Sequence, residues 1–209
     1  MTRLGILLSG RGSNFIAIAD NIASGKLKAE IAIVISNRED AGGIAAANSR
    51  GLRTLVIPSK GRKREEHDRA VVEALREAGV ELVVLAGYLR LLSPWFVQQF
   101  PGKILNIHPS LLPAFPGLEA QRQALEYGVQ FTGCTVHFVD EHLDHGPIVL
   151  QKTVPVLPSD DEHALSERIL VQEHLAYSEA IARVAAGNYQ IQGRRVLLDS
   201  GNSKSKVPF

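Results

Sequence analysis

Three short stretches of this 209-residue sequence carry side chains whose types and spacing suit chemistry. Asn106-Ile107-His108 sets an amide and an imidazole at i and i+2, and in an extended segment such residues point to the same side. An amide donor beside an imidazole can stabilise an oxyanion and move a proton, although an isolated Asn-x-His also serves as a hydrogen-bonded structural pair. Asp144, in Leu143-Asp144-His145-Gly146-Pro147, places a carboxylate beside an imidazole, which would orient the ring and favour its charged form. An ordinary Asp-Gly turn accounts for that stretch equally well. Ser9-Gly10-Arg11-Gly12-Ser13-Asn14 combines glycines with the expected start of a helix. Backbone amides and the positive end of the helix dipole there would cradle a phosphate. The loop lacks the Lys-Ser/Thr of a P-loop and the full G-x-G-x-x-G spacing, so ATP and NAD are disfavoured. A tight strand-to-helix turn is the plain alternative.

Two further features are ambiguous by sequence. Gly87-Tyr88-Leu89-Arg90-Leu91-Leu92 follows the apolar run Leu82–Ala86 and either lines a pocket or contributes leucines to the core, and the residues alone favour the core. Glu173 falls within the apolar helical stripe of Leu165, Ile169, Ala176 and Ala180. A carboxylate on a buried face needs a partner, either an internal arginine or a ligand. His108, His137, His142, Asp144 and His145 could cluster on a metal, but their spacing matches no zinc pattern and no H-E-x-x-H occurs, so no metal is expected. The single cysteine, Cys134, excludes an internal disulfide framework and a cysteine-built metal cage, and nothing marks it as a nucleophile.

The elements that must position these residues alternate between short apolar runs and helical periodicity, the pattern of βαβ units around a parallel sheet. Strands are expected at 4–8, 30–36, 54–57, 82–86 and 104–107, and helices at 14–24, 42–50 and 64–78. Gly133–Val139 and Ile148–Val156 alternate apolar with polar residues, as strands with one less buried face do. Ser159-Asp160-Asp161-Glu162 fits a capping box opening a helix that runs to about Ala186. A small hairpin at 189–198 turns at Gly193, and residues 201–209 read as a flexible tail. The expected fold is α/β: an open, mostly parallel twisted sheet of Rossmann-like topology with a late antiparallel strand and helices on both faces. Ligands of such sheets bind beyond the carboxyl ends of the strands, where the glycine loop, Gly87–Leu92 and His108 all fall.

Composition narrows the function classes. The formal net charge is +1, so no basic field argues for nucleic acid. No segment reaches the roughly 20 apolar residues of a membrane span, and the N-terminal apolar run is too short for a secretory signal. A single soluble, cytoplasmic domain over 1–209 is expected.

Taken together, the glycine loop, Leu85–Pro94, Asn106-Ile107-His108-Pro109-Ser110-Leu111-Leu112-Pro113, Gly133–Pro147 and Gln172-Glu173-His174 resemble the phosphoribosylglycinamide formyltransferases over about residues 3–200. The resemblance implies formyl transfer from the co-substrate 10-formyltetrahydrofolate to the amino group of glycinamide ribonucleotide, in purine synthesis, without a metal. It implies Asn106, His108 and Asp144 as the catalytic group. Gly12, Ser13, Asn14 and Glu173 would hold the ribonucleotide, and Arg64, Leu89, Arg90, Leu91, Leu92, Asn106 and Asp140 the folate. It further implies small-molecule partners only, with no nucleic acid or membrane, and a monomer or homodimer. Arg11 and His145 depart from the residues usual in the family, asparagine and glycine. Methionyl-tRNA formyltransferases and formyltetrahydrofolate deformylases share the catalytic motif but carry an additional domain, and a non-catalytic phosphoribosyl-binding module would need the glycine loop alone.

Overall fold

A computed structural model describes residues 1–198. The expected tail at 201–209 lies outside the described residues. In chain order the elements are β1 (Thr2–Leu8), α1 (Ser13–Ala23), β2 (Ala29–Ser36), α2 (Gly42–Ser49), β3 (Thr54–Val56), α3 (Arg64–Glu77), β4 (Leu82–Leu85), α4 (Pro94–Gln99), β5 (Ile104–His108), α5 (Ala120–Tyr127), β6 (Phe131–Phe138), β7 (Ile148–Pro155), α6 (Glu162–Ala185), β8 (Tyr189–Gln192) and β9 (Arg195–Leu198). They form one nine-stranded sheet in the order β3-β2-β1-β4-β5-β6-β7-β9-β8. The first five strands are parallel; β6 pairs antiparallel with β5, and β7 antiparallel with β6. Strand order reverses at β1, so the connections leaving β1 and β4 diverge to opposite faces and open a crevice between them.

Two cores sandwich the sheet, because alternate residues of a strand face opposite sides. Leu4, Ile6 and Leu8 join Phe15 and Ile18 of α1 and Leu165, Ile169 and Ala180 of α6 on one face. Leu7, Val83 and Leu85 join Val71 and Leu75 of α3 and Phe96 of α4 on the other. Tyr177 of α6 is fully buried, and its hydroxyl lies 2.9 Å from the Leu85 carbonyl and 3.0 Å from that of Leu105. Those carbonyls sit at the ends of β4 and beside Asn106, so the long helix pins the strands from which the site projects.

Several expectations needed correction. Helices α4 and α5 were not anticipated; the first has a legible cap, with Ser93 Oγ accepting from Phe96 N and Pro94 in the first turn. Helix α6 is capped by Asp161, which accepts from Ala164 N, rather than by the box beginning at Ser159. Strand β6 is buried on both faces from Thr132 onwards, not half exposed. Helix α6 covers one face, and the run after β5 covers the other. Thr135 Oγ1 donates to Ser110 O at 2.7 Å and accepts from Leu112 N at 3.0 Å. Finally, β5 extends through His108, which pairs with Thr135 across the antiparallel ladder, so the imidazole stands on a strand rather than on a loop.

Tyr177→Phe should lower stability by about 1 to 2 kcal/mol, by leaving two buried carbonyls without that donor. Urea denaturation would show a lower midpoint at unchanged slope.

Candidate active site

The Asp144 carboxylate lies beside two imidazoles, those of His108 and His137. Its side chain is 8% exposed, with Oδ2 3.3 Å from His108 Nδ1 and Oδ1 3.7 Å from His137 Nε2. Gly117 N donates to Oδ2 at 2.8 Å. Asp144 itself adopts φ 48°, a left-handed conformation that aspartate tolerates better than most residues. The glycine two residues later has a steric reason. A Cβ on Gly146 would lie 1.8 Å from the Phe138 carbonyl oxygen, so only glycine lets the returning chain pass that strand end.

His108 and Asn106 lie on the same side of β5. His108 is buried and its Nε2 lies 2.8 Å from the Phe115 carbonyl. Both ring nitrogens therefore face acceptors, an arrangement that a doubly protonated imidazole satisfies in full. Asn106 Nδ2 lies 3.3 Å from Nε2 of His137, its partner across the ladder. His137 Nδ1 lies 2.8 Å from the Phe138 carbonyl and must donate to it, so Nε2 is the acceptor and the Asn106 amide group faces it. Burial holds the His137 ring below its usual titration range, against the pull of the Phe138 carbonyl and Asp144. A neutral His137 thus orients Asn106 and leaves the second amide hydrogen free for a ligand. Sequence reasoning had weighed His137 only as a metal ligand; the signal was a polar residue inside the buried run Thr135–Val139, and its use required the β5–β6 register. The Phe115 carbonyl and Gly117 amide were also missed, being backbone groups.

The glycine loop and Glu173 come together as well. Gly12 caps α1 in the left-handed region (φ 75°), and a Cβ there would meet Gly43 Cα at 2.9 Å. The amides of Ser13, Asn14 and Phe15 have no acceptor among the described residues. Asn14 Nδ2 donates to Glu173 Oε2 at 2.7 Å, with both residues 8% exposed. No arginine pairs with this carboxylate among the described residues. Burial pushes the Glu173 carboxyl above its usual range, and the Asn14 donor only partly opposes this. Asn14 Oδ1 is buried without a partner, a polar valence left for a ligand. Cys134 is inert: burial, with the nearby Glu173 charge, pushes its thiol up to about 12.

Between these groups lies the segment after β4. Leu89 and Leu91 are 71% and 53% exposed, so the core reading fails for both, while Leu92 is half-buried against the α3 side of the core. Arg90 Nε is buried without a partner. Ser9, the first residue of the glycine loop, ties that loop to this segment: its Oγ accepts from Leu89 N at 2.8 Å and donates to Asn37 Oδ1 at 2.6 Å, and its amide donates to Gly87 O at 3.0 Å. Arg64 is exposed at the start of α3 and makes no hydrogen bond or ion pair with any of these residues. Asp140 is held by His142 N and His145 Nδ1, each at 2.8 Å.

This geometry can be set beside known proteins. Residues 2–181 match the family described as formyl transferase. Phosphoribosylglycinamide formyltransferase of Escherichia coli (strain K12) is 42% identical over 195 residues, 93% of this chain and 92% of that protein. The trifunctional purine biosynthetic protein adenosine-3 of Homo sapiens is 47% identical over 190 residues, 90% of this chain. The chain spans only 19% of the length of that relative and 14% of its counterpart in Drosophila pseudoobscura pseudoobscura. Among solved structures, glycinamide ribonucleotide transformylase 1 from Symbiobacterium toebii superposes with a TM-score of 0.93 at 50% identity, over 95% of this chain and 94% of that one. The mostly parallel sheet with its late antiparallel pair is therefore the architecture of these structures.

Two outcomes test the local physics. Because the Glu173 carboxyl titrates above its unfolded value, it favours folding only in acid, and that contribution is lost as pH rises through the raised pKa. Glu173→Gln should thus be more stable than the parent at neutral pH, by on the order of 1 kcal/mol, with the gap closing on acidification; denaturation at several pH values reads this, and a pH-independent gap refutes it. Ser9→Ala should free the Leu89 amide, raising its hydrogen-exchange rate about fivefold to tenfold.

Proposed function

The chain belongs to the formyl transferase family, and we propose from that premise that it moves the formyl group of 10-formyltetrahydrofolate onto the amino group of glycinamide ribonucleotide, in purine biosynthesis. The observation that carries this reading is the convergence of Asn106, His108 and Asp144 at the carboxyl end of β5. The near full-length similarity to phosphoribosylglycinamide formyltransferase supports the same substrates.

The amine nitrogen attacks the formyl carbon, forming a new C–N bond and a tetrahedral oxyanion. The free N–H of Asn106 supplies a preorganised donor to that charge, and the His108 Nε2–H a second one once it leaves the Phe115 carbonyl. Phe115 O holds the His108 Nε2–H in the structure, so the 109–117 segment yields this contact as the oxyanion forms. Asp144 holds the ring from Nδ1 and stabilises its charge. The protonated His108 ring gives its proton to the departing folate nitrogen as the old C–N bond breaks, and is restored by the proton shed by the attacking nitrogen, directly or through a water beside Asp144. No covalent enzyme intermediate or metal is needed for this balance. Asn14, Glu173 and the amides of Gly12 and Ser13 hold the ribonucleotide, while Leu89–Leu92, with Arg64 and Asp140, receive the folate. This reading takes a small-molecule enzyme of the cytoplasm, monomeric or homodimeric and without a nucleic-acid partner. No helix among the described residues is long and apolar enough to cross a membrane.

The test is formyl transfer assayed with both substrates in the presence of a chelator. His108→Ala should lower kcat by roughly 100-fold to 10,000-fold with little change in KM. A near-parental rate in that variant would remove His108 from catalysis, and an inactive parent would sink the substrate assignment.

A further inference from the structure

The connection between β6 and β7 carries a second group of titratable side chains, of which the proposed function uses only Asp140. His145 Nδ1 lies 2.8 Å from Asp140 Oδ2, and His142 Nδ1 lies 3.9 Å from Asp140 Oδ1. One ligand atom from each of the three residues falls within 4.8 Å of the other two. The imidazole rings are 5.1 Å apart between centroids and tilted by 54°, so they approach the carboxylate from different directions rather than stacking over it. The His142 amide, at 2.8 Å from Oδ1, fixes the carboxylate in that position.

Two imidazoles and a carboxylate form the donor set preferred by Zn²⁺ and neighbouring divalent transition metals over Mg²⁺ or Ca²⁺. Bonds of about 2.0 to 2.2 Å in a tetrahedral arrangement require ligand atoms roughly 3.4 Å apart, a value bracketed by the separations here. The His142 and His145 side chains are 75% and 51% exposed, so they can complete the geometry by side-chain rotation and leave a fourth position for water. The partners His108, His137 and Asp144 belong to the inner site and are not in this group.

We propose that Asp140, His142 and His145 form a binding site for a zinc-class divalent ion, and that its occupation inhibits formyl transfer by clamping the loop that carries Asp144. The inhibitory half rests on the function proposed above, since it requires Asp140 and Asp144 to serve the folate and the catalytic imidazole. Arg194 adds a competing contact. Its guanidinium donates to His145 Nε2, which leaves the ring proton on Nδ1, facing Asp140. Metal at Nδ1 displaces that proton to solvent or to Nε2, and in the latter case the exposed Arg194 side chain must swing away.

Untagged, chelator-treated full-length protein titrated with ZnCl₂ by calorimetry should bind one ion. His142→Ala and His145→Ala should each weaken binding at least about tenfold, and Arg194→Ala should tighten it. Absence of binding, or zinc binding that neither histidine substitution changes, overturns the site. Zinc should also inhibit formyl transfer in the parent, and His145→Ala should lose most of that inhibition relative to its own metal-free rate. Binding without inhibition overturns the clamp and leaves the site standing. A parent inactive without metal falsifies the function instead, and the calorimetry still decides the site.

Discussion

Four parts of the chain converge on one carboxylate. Asp144 collects the imidazole of His108 from β5, the imidazole of His137 from β6 and the amide of Gly117 from the segment after β5, and it does so from a left-handed turn in the β6–β7 connection. A buried anion is costly unless donors face it; His108 Nδ1–H and the Gly117 amide supply them, while the neutral His137 ring packs beside it. The antiparallel β5–β6 pairing is what makes them available together. It sets Asn106 opposite His137 and His108 opposite Thr135. A one-residue slip in that ladder would send the amide and imidazole to the far face of the sheet.

The polar groups elsewhere around the crevice share a complementary property: they are held by neutral partners. Glu173 is bound by the Asn14 amide, Ser9 by Asn37 and the Leu89 backbone, and Asn106 by an uncharged His137. Full ion pairing would quench these groups, whereas amides and hydroxyls fix their direction while leaving their charge or spare hydrogen for a ligand. The cost is carried by the fold, as the raised Glu173 carboxyl and the unpartnered Asn14 Oδ1 indicate.

Much of this arrangement was legible before any coordinates. Apolar periodicity located the parallel strands and the helices α1, α3 and α6, because each buries a continuous face. Asn106, His108, Asp144 and Glu173 stood out as polar residues where strand ends or an apolar stripe demanded an explanation. What escaped was tertiary in origin. Helix α4 spans only six residues, too short for a periodic signal. Burial of both faces of β6 depends on Ser110 and Leu112 folding back over Thr135. The exposure of Leu89 and Leu91 runs against the preference of leucine for the core, so residue type alone favoured the wrong answer there. His137 belongs to the same class, since its role exists only through the strand beside it.

The reversal of strand order at β1 also governs how this unit can be joined to others. The residues of the candidate site gather at or beyond the carboxyl ends of the parallel strands, whereas Thr2 begins β1 at the opposite end, seven residues or about 20 Å away. Polypeptide attached ahead of β1 would therefore emerge on the blind side of the sheet, away from the crevice. The architecture makes the amino terminus a neutral point of attachment, at which a neighbouring module can be added without obstructing the mouth of the site.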